Sequence, residues 1–313
     1  MESNAVRTVV VVGAGTMGHA IGQVFAQAGI EVNLVDTHET VLERAAISIR
    51  SDLKTLADHG RIETQDIPGI LNHIHFFTDL SVAARDAGFA IEAVPESPDL
   101  KREIFSELEQ SCPKGTVMAS NTSGLDIFNI ARVKDPSRLI VTHWFTPAQI
   151  IPLVEVVPGP ETSPETTGFA TALMEKIGKT AIVMKQFVPF FIVNRIQKAI
   201  GEAVSEILRN DWATPEEIDR AVKLSLGIRL PIVGVVQSMD FTGLDLIQSI
   251  NRRDGVNFPL IDRLVAERHL GVKTSKGIYD YGGRSETEIT GKRDTLLLDL
   301  LDHLQNAKAF EPL

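Results

Sequence analysis

Residues 7–36 read RTVVVVGAGTMGHAIGQVFAQAGIEVNLVD, and this stretch decides the fold. The β-branched run at 7–12 predicts a buried strand, and the glycine-rich segment GAGTMG follows it directly. Apolar residues at helical spacing come next and stop at Gly29, a typical helix end. A second predicted strand, EVNLVD, ends in Asp36. The order is therefore strand, turn, helix, strand and acid.

The glycine-rich turn predicts a dinucleotide site. Gly13 allows a tight turn, Gly15 lets the backbone approach a pyrophosphate, and Gly18 lets helix and strand pack closely. The helix then begins with free N–H groups that face the phosphates. A glycine pattern by itself is weak, but an acid about 20 residues further on makes it specific. We predict a Rossmann-type, doubly wound α/β sheet whose turn contacts the cofactor through Gly13, Gly15, Thr16, Met17 and Gly18.

Asp36 predicts which dinucleotide binds. Its carboxylate would accept hydrogen bonds from the adenosine ribose hydroxyls and would repel a 2′-phosphate. The next two residues, Thr37 and His38, provide no arginine to hold that phosphate. We therefore predict NAD rather than NADP as the cofactor. A glycine turn that binds no nucleotide is the alternative.

The bulk composition excludes several classes of protein. The chain has 313 residues, which is more than one core usually holds, so two domains are expected. Hydrophobic residues make up 43% and charged residues 23%, as in an ordinary globular protein. The formal net charge of −10 argues against nucleic-acid binding, which needs a concentrated basic face.

Cysteine content and apolar runs indicate the compartment. Cys112 is the only cysteine, so no internal disulfide can form, and we expect a cytoplasmic protein. The first residues, MESNAVR, do not have the pattern of a signal peptide, and no apolar run approaches the length that spans a membrane. His73 and His75 lack a third ligand, so we expect no metal site.

A second informative stretch, residues 138–158, reads RLIVTHWFTPAQIIPLVEVVP. Two runs of branched apolar residues predict buried strands, the first ending at His143 and the second carrying Glu155 between valines. A buried acid needs a partner, and a histidine with a carboxylate partner can accept a proton. We predict that His143 takes the proton of an alcohol while a bound nicotinamide takes the hydride. A core histidine and an unrelated glutamate are the alternative.

Polar residues follow two further predicted strands. Glu92 and Glu96 lie on either side of the end of the strand predicted at 88–94, and Glu96 is the better site candidate because parallel strands present ligand contacts at their carboxyl ends. Lys101 lies near the start of the next predicted helix. The run SNTS at 120–123 lies where the nicotinamide end of the cofactor should arrive. An ordinary helix N-cap is the alternative for this run, and a surface salt bridge is the alternative for Glu96 and Lys101.

These motifs resemble those of the 3-hydroxyacyl-CoA dehydrogenase family over nearly the whole chain. The segments that carry the resemblance, in order, are VVGAGTMG, EAVPES, SNTSGL, HWFTP, PLVEVV, FIVNR and KTSKGIYDY. The resemblance implies that His143 is a general base oriented by Glu155. It implies that Ser123 and Asn194 donate hydrogen bonds to the reacting oxygen. It also implies contacts to NAD from Glu96, Lys101, Ser123 and Lys273, a role in fatty acid metabolism, and a homodimer.

Two departures from the family pattern concern the substrate. Thr146 stands where the family usually has asparagine, so a contact to nicotinamide or substrate is altered. The helix predicted before Gly60 has few basic residues to hold the phosphates of coenzyme A, which weakens an acyl-CoA substrate. The segment 150–163 also resembles gulonate and carnitine dehydrogenases, which oxidise free hydroxy acids. Trp144, Thr146 and Arg229 are further substrate candidates, although a surface ion pair is the simpler expectation for Arg229.

The second half of the chain predicts helices. The boundary is expected after Phe187, giving an NAD-binding domain at 1–187 and an all-helical C-terminal domain for substrate binding and dimerisation at 188–313. Asn194 is a polar exception on an apolar helix face, so it either makes a structural hydrogen bond or faces the substrate. The segment LGIRLP at 226–231 is expected to form a loop, and a final helix is expected at 293–304.

Together these features predict an NAD-dependent oxidoreductase with a small-molecule substrate. It would interconvert a 3-hydroxyacyl-CoA or a free 3-hydroxy acid and the 3-keto form. One alternative is a dehydrogenase for another small carboxylated alcohol or an aldehyde hydrate, since a gem-diol also offers a hydroxyl and a hydride. The other is a non-catalytic NAD-binding relative, like the crystallins recruited from this family.

Overall fold

The computed structural model describes residues 6–311, and the chain divides into two compact units. One unit ends at Ile200 and the other begins at Gly201, so the division falls inside the helix Val193–Arg209. The domain boundary expected after Phe187 stays a prediction. In the described residues, no helix is long and apolar enough to cross a membrane.

The first unit is built on one eight-stranded sheet. Its strands in chain order are β1 Thr8–Val12, β2 Glu31–Val35, β3 Ile74–Phe77, β4 Phe89–Glu92, β5 Val117–Ser120, β6 Leu139–Trp144, β7 Leu153–Pro158 and β8 Thr180–Val183. The order across the sheet is β3-β2-β1-β4-β5-β6-β7-β8. Every neighbouring pair is parallel except β6 and β7, which are antiparallel. This is the doubly wound sheet that the sequence predicts.

Helices cover both faces of the sheet. They are α1 Gly18–Gln27, α2 Glu39–Asp58, α3 Ile67–Asn72, α4 Leu80–Ala83, α5 Pro98–Ser111, α6 Ile127–Ile130, α7 Pro164–Lys176 and α8 Val193–Arg209. Alternate residues of β1 join two different cores, Val9 and Val11 on one face and Val10 and Val12 on the other. A strand buried on both faces needs a continuous apolar sequence, which explains the run of valines before the glycine turn.

The order of the strands places the site. From β1, the chain runs outward to β2 and β3 on one side and to β4, β5 and β6 on the other. The connections that follow β1 and β4 therefore lead to opposite sides of the sheet and leave a crevice outside the carboxyl ends of these two strands, the usual ligand site of such a sheet. Gly13 follows β1 and Ala93 follows β4, so the glycine turn lies at this crevice.

The second unit is helical. After the end of α8 it contains α9 Pro215–Lys223, α10 Leu226–Val233, α11 Gln237–Thr242, α12 Leu244–Arg253, α13 Pro259–Ala266 and α14 Glu286–Asn306. Small cores form around Leu244 with Ile261 and around Val272 with Tyr281. The all-helical character expected after the sheet is confirmed.

Two expectations for this unit were wrong. The segment 226–231 forms the start of α10 rather than a loop, although Pro231 lies inside the helix. Proline removes only one backbone donor, and the helical bonds on both sides persist, from Arg229 N to Ser225 O and from Gly234 N to Leu230 O. The last helix begins at Glu286 rather than near residue 293, because its first turns are polar.

Helix α14 also shows a signal that could have located its start. Ser285 accepts a hydrogen bond from Glu288 N, and the Glu288 carboxylate accepts one from Ser285 N. This reciprocal capping box follows from the sequence S-x-x-E. This pattern can be read from the sequence, and it locates the start of the helix although the first turns lack apolar periodicity.

Gly18 gives a testable consequence of the close helix–strand contact. A Cβ at this position would lie 1.7 Å from Gly13 O, so Gly18→Ala should reduce the free energy of unfolding by about 1–3 kcal/mol through overpacking. Gly168→Ala is the matched control, since Gly168 is an exposed glycine of α7 with nothing within 4 Å of its Cβ position. The control should be neutral or slightly stabilising. Urea denaturation followed by circular dichroism compares them, and equal stability of the two variants would contradict the packing argument.

Candidate active site

The glycine turn has the geometry that its sequence predicts. Gly13 has φ +96°, and a Cβ there would lie 2.8 Å from Ala93 O on the neighbouring strand loop. Gly18 is equally constrained by Gly13 O, whereas nothing lies within 4 Å of a Cβ at Gly15. Two glycines are thus required by the protein's own packing. The third glycine, Gly15, has open space beside its backbone, which a ligand can approach.

A cavity of about 830 Å³ lies along the glycine turn and the ends of the adjacent strands. Its lining includes Gly13, Gly15, Thr16, Met17 and Asp36. No side chain caps the start of α1, so the first backbone N–H groups are not taken by a cap and can meet an anion. The residues present therefore fit a dinucleotide, with the pyrophosphate at the turn and the adenosine ribose at Asp36.

The structure holds Asp36 in place through the backbone. Its Oδ2 accepts a hydrogen bond from Ala14 N at 3.1 Å, and its Oδ1 accepts one from His38 N at 3.2 Å. The carboxylate is thereby tied to the glycine turn itself. A residue that reads the ribose is most selective when its position is fixed in advance.

His143 and Glu155 lie directly opposite each other on the antiparallel pair β6 and β7. His143 Nδ1 is 2.7 Å from Glu155 Oε2, and both side chains are buried, with 3% and 1% exposed. The other carboxylate oxygen accepts hydrogen bonds from Ile192 N at 2.9 Å and Val193 N at 3.0 Å, at the start of α8. A helix N-terminus favours a negative charge, so Glu155 is stabilised from both sides.

This arrangement fixes the chemistry available to the imidazole. With Nδ1–H donated to Glu155, Nε2 of His143 is the nitrogen that can accept a proton. The rings of Phe145 and Phe191 pack against the imidazole, with centroids 4.5 and 5.1 Å away. Apolar walls of this kind exclude water and strengthen the ion pair that forms when the ring is protonated.

Asn194 and Ser123 meet at the same point. Asn194 Nδ2 donates to Ser123 O at 3.2 Å and lies 3.4 Å from His143 Nε2. The three residues are far apart in the sequence, and the first turn of α8 brings the amide to the imidazole. The site expected from the motifs is therefore assembled within the first unit, although the catalytic role of each residue stays a prediction.

A hydrogen-bonded network that reaches from the core to the surface supports the segment that carries Ser123. Glu96 Oε1 accepts hydrogen bonds from the Thr122 hydroxyl and from Ser123 N at 3.0 Å. Lys101 Nζ lies 3.0 Å from Glu96 Oε2 and 2.6 Å from Glu92 Oε1. Partial burial alone would raise the pKa of Glu96, but the Thr122 hydroxyl and the Lys101 ammonium outweigh this and lower the pKa.

Lys101 and Glu92 are both buried and form an ion pair with each other. Lys101 is only 1% exposed and spends its donors on protein oxygens, so the structure uses it to fix Glu96. A direct contact of Lys101 with NAD stays a prediction. Glu92 is fully buried and also accepts from Ser120 Oγ at 2.6 Å. Glu92, like Glu155, is an acid in a strand that the sequence predicts to be buried, and this pattern could have identified it as a residue with a buried partner.

The structure corrects the expectation for Trp144. Successive residues of a strand point to opposite faces, so Trp144 points away from the face that carries His143. Its side chain is 2% exposed and packs in the core against Phe25, with ring centroids 5.9 Å apart. A core position of this kind does not offer the substrate contact that was expected.

Thr146 links two parts of the site. Its hydroxyl lies 2.9 Å from Met17 Sδ, at the glycine turn. The residue is exposed, and the connection between β6 and β7 carries it. Thr146, at the position where the resemblance led us to expect asparagine, thus places a short hydroxyl beside the glycine turn.

Two further candidates belong to the second unit. Lys273 Nζ forms an ion pair with both carboxylate oxygens of Asp245 at 2.6 Å. Arg229 lies on α10, with its guanidinium 3.4 Å from Ser225 Oγ. The predicted contacts of Lys273 with NAD and of Arg229 with substrate stay predictions.

The paired histidines bind a shared carboxylate. His73 Nδ1 and His75 Nε2 lie 2.7 and 2.8 Å from the two oxygens of Glu31, and these hydrogen bonds lower the pKa of Glu31. Across residues 6–311, no group of three or more His, Cys, Asp or Glu side chains is arranged to hold a metal ion.

Family models match almost the whole described chain. The model for the 3-hydroxyacyl-CoA dehydrogenase NAD binding domain matches residues 8–187, and the model for the C-terminal domain of the same enzymes matches residues 191–281. The two matches together cover the sheet, the glycine turn, the His143 strand pair and the helices of the second unit up to α13, whereas α14 lies beyond them.

Similar proteins include enzymes with different substrates. A probable 3-hydroxybutyryl-CoA dehydrogenase of Bacillus subtilis is 35% identical over 286 residues, covering 88% of this chain and 98% of the relative. A 5-formyl-3-hydroxy-2-methylpyridine 4-carboxylate 5-dehydrogenase of Mesorhizobium japonicum is 28% identical, covering 88% and 91%. The crystal structure of a 3-hydroxyacyl-CoA dehydrogenase from Archaeoglobus fulgidus is similar, with a TM-score of 0.79, 29% identity, and 96% and 99% of the two chains covered.

The nucleotide fit, the matched models and the relatives agree on cofactor and reaction class. NAD is the cofactor, as the glycine turn and Asp36 predict. The reaction is oxidation of a CH–OH group or its reverse. This chain therefore belongs to the 3-hydroxyacyl-CoA dehydrogenase family of NAD-dependent dehydrogenases.

Proposed function

We propose that this dehydrogenase interconverts a 3-hydroxy acid, free or as its CoA thioester, and the 3-keto form, with His143 as general base. The observation that carries the proposal is the hydrogen bond between His143 Nδ1 and Glu155 Oε2, which leaves Nε2 beside the Asn194 amide. A proton acceptor and a hydrogen-bond donor then converge on one point, as oxidation of an alcohol requires.

The cofactor would lie along the glycine turn. Asp36 would accept the adenosine ribose hydroxyls, and the backbone at Gly15 with the start of α1 would hold the pyrophosphate. The loop of Ser123, fixed by Glu96, would meet the nicotinamide end. When bound, NAD supplies the acceptor for the hydride that leaves the substrate carbon.

The protein's own residues handle the proton and the oxygen. His143 Nε2 takes the hydroxyl proton, and Glu155 stabilises the imidazolium that results. The Asn194 amide and the Ser123 hydroxyl donate hydrogen bonds to the oxygen as it becomes a carbonyl. The rings of Phe145 and Phe191 exclude water from the imidazole during the transfer.

The form of the substrate depends on positive charge near α2. Lys54, one of the few cations of this helix, pairs with Asp58 at 3.0 Å, and His19 lies 3.6 Å from Asp52. Carboxylates thus accompany the basic groups, which favours a free hydroxy acid. The Bacillus relative is named for a CoA thioester, so the thioester remains within the proposal.

A second candidate substrate is a carboxylated aldehyde. The Mesorhizobium relative is named as a dehydrogenase of a formyl group on a carboxylated ring. The hydrate of an aldehyde offers the same hydroxyl proton to His143 Nε2 that an alcohol does. The non-catalytic alternative is weakened because the His143–Glu155 pair is complete.

We also propose a homodimer and a cytoplasmic location. Helices α8 and α9 have no buried residue, and apolar side chains along α8, Ile196, Ile200 and Leu208, are 42–44% exposed. Exposed apolar faces of this kind are typical of interfaces. The lone cysteine supports the location, since no disulfide stabilises the chain.

His143→Ala tests the general base. Without the imidazole, kcat should fall by about 10²–10⁴-fold, while the Kd for NAD changes little because the adenosine contacts lie elsewhere. Stopped-flow or steady-state NADH absorbance measures kcat, and fluorescence titration measures binding. His75→Ala is the matched control, since that histidine pairs with Glu31 on β2. Near-normal turnover of His143→Ala would remove the mechanism.

Asp36→Asn tests cofactor selection. Loss of the negative charge weakens binding of the ribose hydroxyls and removes the repulsion of a 2′-phosphate. The preference for NAD over NADP, measured as the ratio of kcat/KM values, should fall about tenfold or more. Asp52→Asn, in α2, serves as the control for a change of net charge alone. An unchanged ratio in Asp36→Asn would show that another residue selects the cofactor.

A substrate panel decides among the remaining alternatives. The panel contains 3-hydroxybutyryl-CoA, free 3-hydroxybutyrate and a carboxylated aromatic aldehyde, each with NAD. Because carboxylates accompany the basic groups near α2, we expect the free acid to give at least the kcat/KM of the thioester. A large preference for the thioester would contradict that expectation, and NADH formation from none of them would favour the non-catalytic relative.

A further inference from the structure

Lys179 is a buried cation that the proposed mechanism does not use. It lies between α7 and β8 and is 8% exposed. Its Nζ donates to Ala148 O at 2.5 Å and to Ile151 O at 2.8 Å, and it lies 5.4 Å from the centroid of the Trp144 ring. Among the residues that the structure describes, no carboxylate forms an ion pair with Lys179. Burial of an ammonium without an acid is costly, so the position calls for a reason.

The two carbonyls belong to the connection between β6 and β7, residues 145–152. This connection joins the two strands that carry His143 and Glu155. At its start the Phe145 ring packs on the His143 imidazole, and Thr146 places its hydroxyl against Met17 of the glycine turn. Whatever holds the connection also holds these two contacts.

We infer that Lys179 is a positioning residue, whose buried ammonium clamps the 145–152 connection so that Phe145 and Thr146 stay beside His143 and Met17. The inference rests on the proposed function only where it concerns turnover. Ala148 is 1% exposed and the turn is closed by Ile151 N donating to Pro147 O, so the clamp acts on an ordered segment. Two charge-assisted hydrogen bonds to one short connection give it a defined position.

The surroundings of Lys179 determine how its charge responds to pH. Burial lowers the pKa of Lys179 to about 8. The 145–152 connection has no titratable residue, and the nearby charges, Glu175 and Lys176, are exposed at the end of α7. Lys179 lines a cavity of about 380 Å³ together with Lys176, Gln27 and Gln149. This cavity gives the ammonium a path for proton exchange.

The pH dependence of the free energy of unfolding distinguishes a loosened connection from an unfolded protein. Because the pKa of Lys179 is lower in the folded chain than the ordinary lysine pKa of 10.5, the unfolded chain binds more protons between about pH 8 and 10.5. The contribution of this group to the free energy of unfolding therefore rises with pH in that range. A loss of activity above pH 8 that traces to Lys179 would reflect weaker hydrogen bonds to the connection, not a less stable protein.

Fluorescence gives a readout that does not depend on catalysis. The chain has two tryptophans, and Trp212→Phe leaves Trp144, over whose ring the ammonium lies, as the only one. In that variant, without ligands, the Trp144 emission should change with a midpoint of about pH 8. Adding Lys179→Met or Lys179→Arg should abolish the transition, whereas adding Lys176→Met should keep it. A transition that persists in Lys179→Met would overturn the assignment.

Turnover tests the positioning role itself. Lys179→Met should lower kcat by about tenfold, while the Kd for ADP-ribose, which reports only the adenosine end, stays within about twofold. Lys179→Arg keeps its charge at all these pH values, so it should recover most of kcat and should lack the decline above pH 8 that we expect of the natural protein. Equal decline in Lys179→Arg and the natural protein would overturn the role. The fluorescence result stands even if His143 proves not to be the base, so the two failures are distinguishable.

Discussion

The register of one antiparallel strand pair is the constraint on which the site depends. In an otherwise parallel sheet, β6 and β7 run in opposite directions and place His143 directly across from Glu155. A slip of either strand by one residue would turn its side chain to the opposite face and separate His143 from Glu155, because strand residues alternate. The valines and isoleucines around them hold this register, since both faces of the strands are buried. The pair is therefore produced by the fold rather than by a flexible loop.

Glu155 connects this strand pair to the rest of the site. One oxygen orients the imidazole, and the other receives the first N–H groups of α8, the helix that also carries Asn194. The acid thus sets the position of the helix and the tautomer of the histidine together. On the other side, Glu96 holds the Ser123 segment by a similar use of a carboxylate on backbone N–H. Two acids, the buried Glu155 and the partly exposed Glu96, thereby place the two donors expected at the substrate oxygen.

Much of this arrangement could be predicted from the sequence, and the limits have physical causes. The valine run, the glycine turn and Asp36 are local signals, and they predicted the sheet and the cofactor. His143 and Glu155 were recognisable because polar residues in buried strands need partners. The contacts of Glu155 with Ile192 N and Val193 N were not, because every residue type except proline carries a backbone N–H and the sequence does not distinguish these two. Trp144 was expected near the substrate because it follows His143 directly in the sequence. Successive strand residues point to opposite faces, so it lies in the core instead.

Other differences come from long-range packing. Lys101 looked like an exposed cation at a helix start, yet the acids on either side of it in space draw it into the core. The segment that ends at Pro231 was expected to be a loop, but it forms the first turns of α10 with the proline inside the helix. Lys179 gave no sequence signal at all, because its partners are main-chain carbonyls of a distant connection.

The central claim is that the fold presents His143 with Nδ1 protonated toward Glu155 and Nε2 free to accept a proton. Nitrogen-15 NMR of the histidine rings, with His143 assigned by its loss in His143→Gln, measures this tautomer directly. We expect the neutral ring of His143 to show a protonated Nδ1 and an unprotonated Nε2, and protonation to occur at Nε2. A neutral ring with its proton on Nε2 would contradict the account.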